Sequence, residues 1–384
     1  MEVITRTTCR LCASDKLKDV LSLGNLYVSD FVEEQDESIK APLELILCEG
    51  CGLLQLRHTA PQEIMYSRHY WYKSALNGAI VSDLKEIAGV AKEYMNEGDT
   101  ILDIGANDGT LLSFVGKKYH KVGVEPANNL VEELRNHADE TIHDFWDAEV
   151  YKSLGLPKAK VVTAIGMFYD MEDPGKFVKD VAEILDDEGT FITQLMTLKP
   201  MLDNNDVGNI CHEHLEYYSY NALKYLFENN GLEIVYLEVN GINGGSYRIF
   251  ARKLKTGSIF KFDELFDYEK FKKNIEENKK LTVDFIKKKV KRGQKVYGYG
   301  ASTKGNTILQ YYGLDNKLIS GIADKNPDKF GLKTVGTNIP IINEDKITDA
   351  DYYFILPWGF TKQFVENNPG KKFIVSIPKF KVYE

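Results

Sequence analysis

The sequence has no apolar run of the length needed to cross a bilayer, and its opening stretch MEVITRTTCRLC lacks the hydrophobic core of a secretion signal. These absences give the expectation of a cytoplasmic protein with no membrane partner. Nor is there an excess of basic residues: 48 Lys and Arg stand against 57 Asp and Glu, a net charge of −9. A general nucleic-acid binder needs a basic face to neutralise phosphate, so no nucleic-acid partner is expected. A small anionic substrate held by a local Lys/Arg cluster remains open. No short-period repeat, no Walker lysine loop and no HExxH peptidase pattern occurs. Cysteine is scarce, with five in the chain.

What is present is the composition of a globular enzyme, 43% hydrophobic and 27% charged over 384 residues, enough for two or three domains. Residues 1–66 hold two cysteine pairs and read as short strands and turns, with Leu43, Leu45 and Leu47 alternating as on a strand. Residues 67–255 alternate helix and strand. Helices are expected at 81–94, 110–118 and 174–185, and strands at 100–104, 121–124, 160–165, 190–195 and 232–239. That order predicts an α/β fold, a mostly parallel sheet with helices on both faces. Residues 256–384 begin with a charged stretch, 263–292, whose apolar spacing suits a long helix or helix pair. They then restart the alternation, with strands at 295–299, 318–323 and 351–356 and a helix at 306–312, as in a second, smaller α/β domain.

The most informative segment is 101–112, ILDIGANDGTLL, where a hydrophobic strand runs into a glycine-bearing turn and then a helix. Gly105 permits a sharp turn and close approach of a ligand, and Gly109 avoids a clash at the helix start. The loop carries acids, Asp103 and Asp108, which repel a pyrophosphate but suit the ammonium and sulfonium charges of S-adenosylmethionine. Twenty-two residues after Asp103 the next strand ends in Glu125-Pro126, where a carboxylate meets ribose hydroxyls. Together these motifs resemble the class I S-adenosylmethionine-dependent methyltransferases, a Rossmann-like fold. The competing reading is a nicotinamide-binding unit with a degenerate loop. The resemblance assigns Asp103, Gly105, Ala106, Asn107, Asp108, Gly109, Glu125 and Pro126 to the donor. By position, His143, Asp144, Phe145 and Trp146 fall near its adenine and Gly166, Met167 and Phe168 near its methionine end, although aromatic residues there suit plain core equally well.

Cys9, Cys12, Cys48 and Cys51 form two CxxC pairs with 35 residues between Cys12 and Cys48. Two thiolates at that spacing reach one tetrahedral ion with Zn–S near ~2.3 Å, and two pairs leave no position for water. A structural zinc ion is therefore expected, with an iron–sulfur centre or redox dithiol as the alternatives. Cys211 stands alone and reads as a pocket or core residue.

The densest chemical segment is 210–219, ICHEHLEYYS. In extended structure His212 and His214 share a side and Glu213 opposes them. A histidine base oriented by a carboxylate is one reading. Buried structural histidines and a second metal site are the others.

At this point the whole chain resembles the three-domain sugar C-methyltransferases that act on nucleotide-linked keto-deoxyhexoses. Six features occur in that family's order: the CxxC pairs, the aromatic segment 70–77 (YWYKSALN), the donor motif, the Glu213-His214 pair, the turn 243–248 (NGGSYR) and 298–306 (GYGASTKGN). The resemblance implies His214 as the base that removes the proton beside the ketone, Glu213 and His212 beside it, and Tyr70 and Tyr72 closing over donor and substrate. Substrate contacts are implied for Asn243, Gly245, Ser246 and Arg248, and for Tyr299, Ser302, Lys304, Asn306, Asp324 and Trp358 around a pocket for the sugar's nucleotide diphosphate. Read alone, 298–306 is an anion site at a helix start, a weak dinucleotide fingerprint or a structural loop. Two departures stand out: Cys211 lies where some members carry tyrosine, and residues 166–174 read GMFYDMEDP in place of Asn-Val-x-x-His.

The expectation is thus a zinc-containing methyltransferase that places a methyl group on carbon 3 of a nucleotide-linked 4-keto-6-deoxy sugar, as a monomer or small homo-oligomer. An O- or N-methyltransferase on such a sugar, and a zinc-containing RNA-binding methyltransferase or adaptor, are the alternatives.

Overall fold

The structure, a computed structural model, describes residues 3–33, 39–67, 69–258, 262 and 264–384, with backbone alone at Ser67. Among the described residues no helix is long and apolar enough to cross a membrane. Met1, Glu2 and Asp263, which fall within expected segments, lie outside the described residues.

The N-terminal region forms antiparallel strands Leu17–Tyr27, Lys40–Cys48 and Leu54–Leu56. Leu43 and Leu45 point into the core as the alternation predicts. The sheet is completed by a strand from far downstream, Glu216–Tyr217, which pairs antiparallel with Gln55 and Leu54. Phe31–Val32 pairs with Lys333–Thr334 near the other end of the chain. The N-terminal region is therefore bound into both later regions.

The central sheet has seven strands in the order Leu232–Asn240, Ser246–Lys253, Leu185–Met196, Ala159–Ile165, Thr100–Ile104, His120–Val124 and Glu140–Ile142. Five are parallel. Ser246–Lys253 inserts antiparallel to both of its neighbours, a departure from the expected parallel arrangement at that edge. The polar residues of SYRIFARK hide it from a hydrophobicity reading. Both faces of the sheet are covered, so the strands are apolar almost without interruption. Ile101 and Val161 pack under helix Gly78–Glu93, while Leu102 and Val162 pack against helix Pro174–Ile184 on the other face. Asn77 caps the first helix and Asp173, followed by Pro174, caps the second. The helix expected over 110–118 stops at Ser113, and Gly116 turns the chain back into the sheet.

A long helix, Tyr268–Lys291, capped by Asp267, leads into the last sheet. That sheet has the order Ile341–Asn343, Ile322–Asp324, Val296–Tyr299, Tyr352–Ile355, Phe373–Val375 and Lys381–Tyr383, parallel except for the last strand. Both sheets therefore reverse direction beside their first strand, at Thr100–Ile104 and at Val296–Tyr299. In open α/β sheets ligands bind at the strand C-termini beside such a reversal.

Candidate active site

At the reversal of the central sheet lies a cavity of about 350 Å³ lined by Asp103, Gly105, Ala106, Asn107, Glu125, Pro126, Phe145, Gly166 and Met167. Asp103 is buried and accepts a hydrogen bond from Thr163 Oγ1 at 2.6 Å. Glu125 accepts the backbone N–H groups of Asn107 and Ala127, both at 2.9 Å. Burial pushes each carboxyl up to about 7. Neither has an ion-pair partner among the described residues, and Asp170 Oδ1, on the same wall, is buried with no hydrogen-bond partner. A cavity holding this much unbalanced acid fits a cationic ligand, as the ammonium and sulfonium of S-adenosylmethionine require.

Gly105 sits at φ +69°, and a Cβ there would stand 2.8 Å from Met167 Cγ. Gly105→Ala is expected to weaken S-adenosylhomocysteine binding by about tenfold or more, from the left-handed strain and the displaced Met167. Isothermal titration giving an affinity within twofold of wild type would show that this wall is not in contact with ligand.

Several expected donor residues lie elsewhere. Asp108 accepts from Ala75 N–H at 2.9 Å and Thr110 Oγ1 at 2.5 Å, pinning the aromatic segment to the loop, so it does not face the cavity. Asn107 shares that work, accepting from Ser74 N–H and donating to the Tyr72 carbonyl. Gly109 packs against His137 and Leu134. Asp144 accepts from its neighbour's N–H, and Phe168 is fully buried among Phe177, Phe191, Tyr218 and Phe227. Of the residues expected near the adenine, Phe145 and Trp146 line the cavity and His143 does not, while Met171, Glu172 and Lys176 line it without having been expected there.

A second cavity, about 140 Å³, adjoins the first. Tyr70, Tyr72, Ser74, Leu84, Ile165 and Gly166 line both. Its far wall is Glu213, His214, Asn243, Ser246, Thr303 and Lys304. His214 Nδ1 lies 2.9 Å from the Asn209 carbonyl, which has only lone pairs to offer, so Nδ1 carries the proton and Nε2 keeps its lone pair. Burial and the nearby Lys304 charge hold the imidazole well below its usual range, hence neutral. Its ring packs edge-on against Tyr169 at 4.6 Å.

Two expectations for this segment fail. No hydrogen bond joins Glu213 to His214; the orienting group is Asn209, and the Glu213 carboxyl, pushed up to about 7 by burial, accepts from Thr303 Oγ1 at 3.3 Å. His212 does not share a side with His214, because residues 211–214 form a turn, closed by His214 N–H on the Cys211 carbonyl, and not a strand. His212 instead contacts the Ala41 carbonyl at 2.9 Å, away from the cavity.

The four cysteines converge. Their sulfurs all lie within 4.8 Å of one another, with Cys9–Cys51 at 3.6 Å and Cys12–Cys48 at 3.5 Å. Each CxxC closes the same turn, with Ala13 N–H on the Cys9 carbonyl and Gly52 N–H on the Cys48 carbonyl. Four sulfurs around one point fit a structural zinc ion.

Models of three domain families match the chain in order: a zinc-binding domain over residues 9–66, a methyltransferase domain over 72–237 and a C-methyltransferase C-terminal domain over 241–378. A curated relative, C-methyltransferase NovU of Streptomyces niveus, is 27% identical over 97% of this chain and 96% of its own. The chain is an S-adenosylmethionine-dependent methyltransferase, similar along its whole length to this C-methyltransferase. Two solved structures match part of the chain. The PH0226 protein from Pyrococcus horikoshii OT3 is 16% identical over 48% of this chain and 95% of its own, with a TM-score of 0.38. An S-adenosylmethionine-dependent methyltransferase from Clostridium acetobutylicum ATCC 824 is 15% identical over 45% and 90%, with a TM-score of 0.35.

The residues expected to contact substrate divide. Asn243, Ser246 and Lys304 face the second cavity. Arg248 does not: it is 4% exposed, with ion pairs to Asp83 at 2.8 Å, Glu86 at 2.6 Å and Glu238 at 3.3 Å and a hydrogen bond to Gln194 at 3.0 Å. It ties the inserted antiparallel strand to helix Gly78–Glu93. Arg248→Met is expected to cost about 3 kcal/mol, because Asp83 and Gln194 lose their buried partner. A urea midpoint unchanged within error would contradict this.

Gly245 packs on Pro200, Ser302 caps helix Thr303–Tyr312, and Asn306 is buried against the Asp30 carbonyl. Tyr299 is buried with its hydroxyl on Glu344 at 2.6 Å, and Asp324 accepts the N–H groups of Ala301 and Asn326. These hold the 298–306 loop in shape and do not line the second cavity. Trp358 covers Gly244 and lines a separate cavity of about 560 Å³ with Lys362, Lys379 and Lys381.

Proposed function

We propose that this enzyme methylates carbon 3 of a nucleotide-linked 4-keto-6-deoxy sugar, with His214 removing the proton beside the ketone. The supporting observation is the state of His214: a buried, neutral imidazole with Nδ1 committed to Asn209 and Nε2 facing a cavity that opens onto the donor cavity. A carbon acid needs such a base, whereas methyl transfer to a hydroxyl does not need C–H cleavage. The sugar class and the carbon follow from the six-motif resemblance.

S-adenosylmethionine, when bound, supplies an electrophilic methyl group. Asp103 and Glu125 hold the cationic donor, Gly105 and Met167 shape its channel, and Tyr70 and Tyr72 close the junction between the cavities. Residues up to 66 serve as the zinc-binding domain, 67–255 bind the donor, and the remainder take the nucleotide sugar, all within the cytoplasm.

Full-length protein incubated with labelled S-adenosylmethionine and a panel of thymidine-, uridine-, guanosine- and cytidine-diphospho-4-keto-6-deoxyhexoses tests this reading. A branched C-methyl product by NMR is expected. A methoxy product, or a methylamine from an amino-sugar analogue, would replace it with O- or N-transfer.

A further inference from the structure

Lys304 stands in the first turn of helix Thr303–Tyr312, on the wall of the second cavity that also carries His214. Its ammonium donates to two neutral acceptors, Asn209 Oδ1 at 3.1 Å and Met196 Sδ at 2.8 Å. No carboxylate lies within ion-pairing distance among the described residues, although Glu213 and Asp206 belong to the surrounding cluster. A half-buried ammonium without a counter-ion, with a third N–H unassigned and facing a cavity, suits an oxygen that gains negative charge.

Asn209 makes this placement informative. Its backbone carbonyl receives the His214 Nδ1 proton and its side-chain oxygen receives the Lys304 ammonium. One residue, itself buried, therefore fixes both groups in the same frame. The helix start adds its dipole to the same spot.

We propose that Lys304 is the acid partner of His214, its ammonium holding the ketone oxygen of the acceptor while His214 removes the neighbouring proton. The inference rests on the carbon-acid reading above and extends it. His214 Nε2 takes the proton, the C–H electron pair becomes the C=C bond, and the carbonyl π pair moves onto the oxygen held by Lys304. On methyl transfer the oxygen pair returns to C=O, the C=C pair forms the new C–C bond, and the sulfur leaves with the S–C pair. A phosphate role for Lys304, which its place in a glycine-rich loop suggests, predicts different behaviour.

The test is solvent deuterium uptake beside the ketone, with S-adenosylhomocysteine in the donor cavity and the same panel of nucleoside-diphospho-4-keto-6-deoxyhexoses. Lys304→Met is expected to slow exchange at saturating sugar by about 10²–10³, the scale of a lost oxyanion donor, while nucleoside diphosphate affinity stays within threefold. Lys304→Arg should recover part of the rate. Exchange within threefold of wild type, or a tenfold loss of diphosphate affinity with exchange at saturation intact, would overturn the proposal. If Lys304→Met loses S-adenosylhomocysteine binding, Lys304→Gln, which can keep the contact with Asn209, carries the same comparison. Wild-type protein that exchanges no sugar of the panel removes the carbon-acid reading and this inference together. Exchange that is normal in both wild type and variants removes the inference alone.

Discussion

His214→Ala is expected to lower turnover by about 10²–10⁴ with little change in donor affinity, the usual contribution of a positioned general base. His214 lines the second cavity, and its Nδ1 is held by Asn209, which leaves Nε2 as the free lone pair. The depressed basicity keeps it unprotonated through neutral pH, so the base form is present without a titration step near 6.5. His212→Ala is the matched control. That ring is spent on the Ala41 carbonyl, so the change should lower the unfolding midpoint and leave single-turnover methyl transfer nearly intact. Turnover in His214→Ala within tenfold of wild type would assign the proton transfer to another group.

Removing the metal is expected to have the larger effect on the fold. Structural zinc contributes apparent free energies of roughly 10–16 kcal/mol in small zinc domains, because the site does not preexist in the unfolded chain. Here Cys9 and Cys12 precede strand Leu17–Tyr27, and Cys48 and Cys51 lie at the end of strand Lys40–Cys48 and in the turn after it, so one ion would tie the two strands together. The consequence should reach the donor cavity. Arg10, between the two cysteines of the first pair, is buried and bonds to Gln55, the Leu56 carbonyl and Thr59 Oγ1, and contacts Glu172 at 3.3 Å. Glu172 also accepts from Arg6 and Thr59, and it lines the donor cavity. Chelation should therefore release one equivalent of zinc by mass spectrometry, lower the thermal midpoint and weaken S-adenosylhomocysteine binding together. Complete metal loss with unchanged melting and binding would show that the cysteines act only locally.

The elements that sequence places well are those whose signals are local. ILDIGANDGTLL is a buried strand followed by a glycine turn, and both the strand bounds and the position of Gly105 follow from period and steric need. The CxxC pairs are equally local, because two thiolates at that spacing serve one ion wherever the chain goes. Strand Ser246–Lys253 was not visible, and Arg248 was assigned to substrate, since nothing local shows that Asp83, Glu86 and Gln194 are brought around it from distant segments. The two-residue alternation assigned to His212 and His214 failed for a related reason. Tertiary contacts to Ala41 and Asn209 outweigh any local preference for extended backbone in a turn so short.

The sequence by itself determined the methyl donor, the zinc ligands, the α/β class and the order of the regions, because each rests on short motifs or periodic runs that are legible within one turn or one strand at a time. Only the tertiary structure decided which of the nearby acids, histidines and cations meet in the second cavity. Lys304 reaches His214 across some ninety residues of chain, and Arg248 and Asp108 are withdrawn from ligand duty by partners that no local pattern specifies. The physical reason is that burial sets the cost of an unpaired polar group, and burial is a property of the packed whole.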